Sequence, residues 1–387
     1  MKLNKDKETL DEIASLVQYA FLKKNDITKD VNFMSRYYHS SGYGKFHKDK
    51  LTSYVMSNNF KSKIFNQTVK MAGIGYVSTY PENRGHGDIS KIMNEILIDL
   101  HRENIPLSNL APWSESFYRQ YGYENTIYRK ILEFRSNALH YFKPSKEGKI
   151  IRGTLKDEKI STLVNKMYTN QLNSATERNT VIREKWWWNR FNTYYPDRYV
   201  AIYLDGHQNP KGYMFYTLSN NSFVADEFYF TSQESAINLL SFMGGHISSS
   251  DSFKIVTSVE SLLEDLFPNQ GMITVTVHPY MMSRIIDFQT IASCIKMETR
   301  EPIIIEVTDD KQCEWNNKKW KFTPLTDKTN CEQTIKPPDY TASITNWTKV
   351  LLGRLTVDQA VNLGIIKHLT SNKLILKKGK VSFYDYF

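Results

Sequence analysis

The stretch from Met71 to Glu124 constrains the fold more than any other. Gly73 to Thr79 is a compact, uncharged run of apolar and β-branched residues, which predicts a buried strand. Pro81 ends it, because proline has no amide to give to a ladder. Arg84-Gly85-His86-Gly87 then leads into Ile89, Ile92, Met93, Ile96, Leu97 and Leu100, whose spacing of three and four marks one face of a helix. Leu107 to Leu110 gives a second short strand. Two glycines at a strand-to-helix junction let backbone approach a ligand closely. The free amides of the first helical turn, at the positive end of its dipole, then face an anion. Arg84 adds a charge at the entrance, so a pyrophosphate would suit the turn. A plain tight turn would use the same glycines.

At 387 residues the chain is too long for one ordinary core, and two or three domains are expected. With 41% hydrophobic and 24% charged residues it has the balance of a soluble globular protein. No run approaches the roughly 20 apolar residues of a membrane span, and MKLNKDKETLDEIASL lacks the apolar core of a signal peptide. Cys294, Cys313 and Cys331 are widely spaced, without a CxxC pair, so neither a metal cluster nor a disulfide framework is expected. A reduced, cytoplasmic protein without a membrane partner fits these features. The net charge of +9 comes from scattered lysines and arginines, with no basic helix or finger spacing, so no nucleic-acid partner is expected. A basic exterior favours a polyanionic ligand. It disfavours cationic substrates unless the cleft has carboxylates of its own.

In chain order, Leu10, Ile13, Leu16, Val17 and Ala20 predict an amphipathic first helix. Residues 22 to 50 read as polar, aromatic and irregular, with Asp26 and Asp30 as surface acids able to attract an amine. Leu51 to Met56 and Gln67 to Met71 read as strands, as does Tyr128 to Phe134. From Ile150 the pattern begins again: a helix over Ile160 to Tyr168, then strands at Tyr199 to Leu204, Gly212 to Leu218, Phe223 to Phe230 and Lys254 to Thr257. A helix lies between the last two strands, as in an internal duplication. The glycine turn is missing there. Thr231-Ser232-Gln233-Glu234 caps a helix and puts an acid where phosphate would sit, so one cofactor site per chain is expected. Trp186-Trp187-Trp188 reads as core or interface anchors. A third unit has strands expected at Met272 to Val277, Ile303 to Val307, Trp320 to Leu325, Tyr340 to Ile344 and Leu374 to Leu376. Its helices hold Trp347 to Leu352 and Val357 to Leu363. The chain closes on Phe383-Tyr384-Asp385-Tyr386-Phe387, an aromatic run that can anchor by burial.

After Leu110 comes Ala111-Pro112 and then Trp113-Ser114-Glu115-Ser116-Phe117-Tyr118-Arg119-Gln120-Tyr121-Gly122-Tyr123. Together with Val77-Ser78-Thr79-Tyr80-Pro81-Glu82-Asn83-Arg84 and the turn, this resembles the acetyl-CoA core of the GNAT N-acetyltransferases, and more narrowly their Eis-like (enhanced intracellular survival) branch. The resemblance implies an α+β fold: tandem GNAT-like domains with mixed sheets flanked by helices, followed by a sterol-carrier-like domain. The divisions expected are 1–146, 147–278 and 279–387. It implies acetyl-CoA as cofactor, with Val77 and Thr79 pairing the pantetheine arm. Arg84, Gly85, His86, Gly87, Asp88 and Ile89 would hold the pyrophosphate, and Ser114 would make a further contact. Asp88 departs from the usual apolar or small residue and is expected to point outward. Tyr118 matches the acid, its phenol staying protonated at neutral pH with an ordinary pKa of about 10. The terminal carboxylate of Phe387 matches the base, and Asp385 would add negative potential. The acceptors implied are primary amines, small or peptidic: aminoglycosides at more than one position, or protein lysines. A homo-hexamer is implied as well. The rival reading is a noncatalytic acyl-CoA or lipid-binding protein that uses an apolar cavity in the third domain.

Overall fold

The computed structural model describes residues 1–387, and residues up to Ile285 build one twelve-stranded sheet while the rest carries a five-stranded one. The first half of the long sheet is an antiparallel run of Ser40–His47, Lys50–Ile64 and Gln67–Thr79. Leu107–Leu110 joins it parallel to Gln67–Thr79. Helix Asp88–Arg102 connects the parallel pair and buries Ile92, Met93, Ile96, Leu97 and Leu100, the face set by their spacing. The second half repeats the plan. Lys149–Gly153, Tyr199–Leu204, Pro210–Ser219 and Ser222–Phe230 are antiparallel neighbours, and Ser252–Ser258 lies parallel to Ser222–Phe230 across helix Gln233–Gly244.

The halves are joined by exchanged strands. Glu124–Arg135, which follows the first unit, pairs with Ser252–Ser258 of the second. Ile273–Ile285, which follows the second unit, pairs with Leu107–Leu110 of the first and with Glu124–Arg135. The sheet is therefore continuous, and the units cannot part without breaking ladders. Ile273–Ile285 runs well beyond the expected Met272 to Val277 and passes residues 278 and 279, where the sequence reading divides the chain. Pro279 is tolerated because the register shifts between Pro279 and Met281, where a ladder amide is not required.

The expected irregular segment 22 to 50 is instead ordered. Helix Val31–Tyr38 starts on an Asp30 cap, and Ser40–His47 forms a hairpin with Lys50–Ile64 through Lys48 and Asp49, both at positive φ. In the last unit the sheet order is Thr329–Thr334, Lys319–Pro324, Ile303–Thr308, Tyr340–Ser343, Lys367–His368, with helices Phe288–Cys294, Ile344–Leu351 and Val357–Asn362. Leu374 to Leu376 is not a strand and makes only an isolated bridge from Leu376 to Met297. Apolar residues of all three units merge into one core of 38 buried side chains, including Phe60, Trp187, Trp347 and Phe387. No helix is long and apolar enough to cross a membrane.

Candidate active site

The parallel pair Gln67–Thr79 and Leu107–Leu110 stays together only from Met71 to Ile74. Beyond that, the edge carrying Val77 and Thr79 has no strand beside it, and its backbone is free to accept an extended ligand as an added strand. At its end Pro81–Asn83 forms a single 3-10 turn, then Gly85 (φ 83°) and Gly87 (φ 74°) take the left-handed conformation. A β-carbon built on either would meet nothing within 4 Å, so the turn faces open space. Gly87 caps helix Asp88–Arg102 without a side-chain acceptor, which leaves its first-turn amides available. Arg84 and His86 are exposed over the turn, and Arg84 Nε donates to the Thr79 carbonyl (3.4 Å). The residues present fit an anionic pyrophosphate. Asp88 is half-buried, its carboxylate 3.9 Å from Lys91 on the helix surface. Ile89 packs against the core beneath.

Across the gap, helix Glu115–Arg119 is capped by Ser114, whose hydroxyl accepts from the Phe117 amide. The helix and the turn after it carry three tyrosines with different fates. Tyr121 pairs with Ser90 (2.8 Å) and Tyr123 with Ser108 (2.7 Å), both structural contacts. Tyr118 is buried at 3% exposure, and burial pushes its phenol well above the ordinary range, with Trp113 partly opposing and Tyr386 among the groups around it.

The C-terminal tail closes the site. After Gly379 the chain leaves the last unit and threads between the halves of the sheet: Lys380 donates its amide to the Thr176 carbonyl, and Ser382 donates its amide and hydroxyl to the buried Glu177. Asp385 is fully buried, accepting from Arg183 Nε (2.9 Å) and Trp187 Nε1 (2.7 Å). Arg183 in turn forks onto Glu227, which also accepts from Tyr213. Arg129 and Tyr280 donate to the carbonyls of Tyr384 and Asp385. Asp385 is thus a charge-paired anchor, and its negative potential is absorbed locally by Arg183. Trp186, in contrast, stacks on His39 (4.3 Å, 2° between planes) and joins the first unit to the second.

Phe387 lands on the strand Gln67–Thr79. Its ring packs on Phe60 (centroids 4.9 Å), and two of its carbons lie 2.8 Å from where a β-carbon on Gly73 would be. Its carboxyl carbon lies 3.3 Å from the equivalent point on Gly75, and Arg36 Nη2 lies 2.4 Å from that same point. A side chain at either glycine would collide with the terminal residue or the arginine. Gly73, Gly75, Arg36, Glu177 and Arg183 were not singled out from sequence. The Gly-X-Gly inside a strand, which signals close approach of another group, is the cue that would have found the first two.

In the second unit the matching helix, Gln233–Gly244, has a capping box. Ser232 accepts from the Ser235 amide and Ser235 from that of Ser232. Glu234 lies in the first turn and accepts from Tyr203 (2.7 Å). The Ser232 and Ser235 amides are already taken there, and Glu234 puts a negative charge at the mouth.

Comparison with known proteins agrees with this layout. Residues 4–126 and 180–285 each match an acetyltransferase (GNAT) domain family, and residues 290–378 match a sterol carrier protein domain family. A protein of unknown function from Enterococcus faecalis V583, described as a probable N-acyltransferase, is 30% identical. The match covers 100% of this chain and 98% of that one, with a TM-score of 0.89. A GCN5-related N-acetyltransferase from Anabaena variabilis is 18% identical over 100% of both chains (TM-score 0.86). Eis1 from Mycobacterium abscessus is 15% identical over 100% of this chain and 99% of that one (TM-score 0.81). No curated protein matches the sequence.

Proposed function

We propose that this chain, which belongs to the GNAT N-acetyltransferases and has the Eis-like arrangement of two GNAT domains and a sterol-carrier-like domain, acetylates a primary amine from acetyl-CoA in its first unit. Acetyl-CoA supplies the thioester whose carbon–sulfur bond breaks as the carbon–nitrogen bond forms. Val77 and Thr79 offer their free strand edge to the pantetheine arm. Arg84, Gly85, His86, Gly87, Asp88 and Ile89 build the turn for the pyrophosphate, and Ser114 adds a contact at the start of the facing helix. Tyr118 keeps its proton on Oη because burial disfavours the phenolate, so it can donate to the leaving sulfur. The terminal carboxylate of Phe387 attracts the acceptor ammonium and takes its proton, directly or through water. Its ordinary pKa of about 3.5 makes that transfer uphill by roughly 1.4 kcal/mol per unit of mismatch, while the ring is held among Phe60, Trp187 and Phe383.

The observation that carries this reading is the tail. Four contacts, from Glu177, Arg183, Trp187 and Arg129, hold a strand-less segment so that its last carboxyl sits over Gly75 of the strand Gln67–Thr79. The buried ion pair and hydrogen bonds of Asp385 and Ser382 go beyond what packing of the aromatic rings requires. The acceptor classes that the Eis-like arrangement suggests are aminoglycosides and lysine peptides. The proposal also includes the divisions 1–146, 147–278 and 279–387, a homo-hexamer, and a cytoplasmic setting, in keeping with three separate buried free thiols. A lipid-binding role for the last unit gains little: the 990 Å³ cleft on its border is walled by Arg354, Asp358, Lys377 and Lys378 among others.

The test is thiol release with and without Phe387. Removal is expected to lower kcat by about 10²-fold or more while acetyl-CoA still binds. A chain with one extra glycine after Phe387 keeps the ring and displaces the charge, and should lose activity too. Unchanged turnover in both would assign the base to another group.

A further inference from the structure

Helix Val31–Tyr38 of the first unit and helix Lys185–Tyr194 of the second lean together beside the tail, joined by Thr193 donating to Asn32 (2.8 Å). Each contributes a buried arginine. Arg36 is 5% exposed; its Nε donates to Asn58 (3.2 Å), its plane lies 4.5 Å over the Tyr76 ring, and its buried Nη2 has no partner. Arg190 is 3% exposed and sandwiched over Trp187 (4.5 Å) and Tyr194 (4.0 Å), with its Nε unpartnered. Burial, and then the charge of Arg36, push the Arg190 guanidinium down to about 10.

Two neighbouring buried cations demand an anion. The carboxylates on the surrounding elements are committed elsewhere. Asp26 and Asp30 cap the turn and helix that follow them. Glu184 meets Lys61 and Trp186. Glu227 and Asp385 share Arg183. That leaves the terminal carboxylate of Phe387, close to Arg36 Nη2 across Gly75. One carboxylate against two guanidiniums leaves an excess positive charge beside the end of the tail. Tyrosine rings and hydroxyls around it (Tyr54, Tyr76, Tyr194) soften that charge but do not cancel it.

We propose that Arg36 and Arg190 form an oxyanion-binding subsite, and that the natural acceptor is a primary amine carrying a carboxylate or phosphate. This rests on the reading above that the first unit acetylates amines. The anion seats between the two guanidiniums, and the amine at the acceptor's other end meets the terminal carboxylate. Polycationic acceptors such as aminoglycosides meet an unfavourable field there.

The experiment compares thiol release by the full chain with matched pairs, hexylamine against 6-aminohexanoate and glucosamine against glucosamine 6-phosphate, with kanamycin as the polycation. The expected result is a kcat/KM about tenfold or more higher for the anionic member of at least one pair, the scale of one charge-assisted contact. The favoured pair distinguishes carboxylate from phosphate. Arg190→Gln should shrink that ratio toward one and Arg190→Lys keep part of it. Removing an unpaired buried charge should not lower Tm, so a folding defect is separable. A preference for neutral amines or kanamycin, or a ratio that survives both Arg36→Gln and Arg190→Gln, overturns the proposal. If no amine is turned over, the catalytic reading fails by itself. Calorimetry then decides the subsite: 6-aminohexanoate or glucosamine 6-phosphate binding that Arg190→Gln abolishes supports it, and binding that is absent or unaffected refutes it.

Discussion

In the first half of the long sheet the parallel strands Gln67–Thr79 and Leu107–Leu110 part beyond Ile74 and Leu110; in the second half Ser222–Phe230 and Ser252–Ser258 part beyond Ala225 and Ile255. The first gap has a glycine turn with unsatisfied amides at its mouth. The second has a self-capped helix and is entered by the C-terminal tail. Ser382 and Tyr384 help line a cleft of about 430 Å³ with Phe230, Thr257 and Ser258. Duplication supplied two identical openings. In one the strand edge stays free, and in the proposed mechanism it takes the cofactor; in the other the opening is lined by the chain's own end. Under the proposed mechanism, the second unit contributes to chemistry by holding a peptide rather than a cofactor.

Arg183 is where that comparison breaks most easily. Arg183→Met leaves Glu227 and Asp385 buried without their cation, and the loss of one partner of such a pair costs about 3–5 kcal/mol. The expected outcome is a large fall in Tm together with loss of turnover as the tail detaches. The triple change Arg183→Met, Glu227→Gln, Asp385→Asn should recover much of the stability, because no charge is left stranded. If turnover also recovered fully, ionic anchoring of the tail would not matter to activity.

Tyr118→Phe should be next in size. Packing is nearly unchanged, so Tm should hold, while kcat falls by about 10²-fold or more if the phenol protonates the leaving thiolate. Because burial raises the phenol above its ordinary value, the neutral form is the one favoured in the fold, and its ionisation should leave no alkaline limb below about pH 10. A limb near pH 9 that vanishes in Tyr118→Phe would contradict the burial argument. Gly87→Ala is smaller. The new methyl meets nothing, but a φ of 74° costs an L-residue roughly 1–2 kcal/mol, so the free turn should relax; binding then has to restore it, and acetyl-CoA affinity should weaken by about tenfold with kcat at saturation little changed.

The contrast between the units was largely visible in sequence. Arg84-Gly85-His86-Gly87 and Thr231-Ser232-Gln233-Glu234 differ in the residue types that decide whether helix amides stay free. The aromatic density of the last five residues foretold a buried tail. What sequence could not give was how the tail is held. Glu177, Arg183 and Glu227 lie on three separate segments, and only the fold brings them to Asp385 and Ser382. The strand exchange was equally hidden, since Glu124–Arg135 has the same alternation whichever neighbour it pairs with. Helix Val31–Tyr38 and strand Ser40–His47 were missed because their apolar faces are mostly tyrosine, phenylalanine and methionine among polar residues. The Asp30 cap and the Lys48-Asp49 turn were the overlooked signals.

Ser232→Ala should have the smallest effect, and it separates two accounts of the second opening. The change removes the hydroxyl that accepts from the Ser235 amide, a cap worth about 1 kcal/mol, so Tm should drop slightly. Were the capping box the only thing excluding a second cofactor, freeing those amides would start to raise the acetyl-CoA stoichiometry above one per chain. Three other features argue against this. Glu234 keeps a negative charge in the first turn, no glycine replaces the extended backbone of Ser232, and Tyr384 still lines the cleft between the parted strands. The expected titration endpoint is therefore one acetyl-CoA per chain in both proteins. A second binding event in Ser232→Ala would mean that the tail fills the opening only loosely, and that the two halves of the sheet differ by little more than a cap.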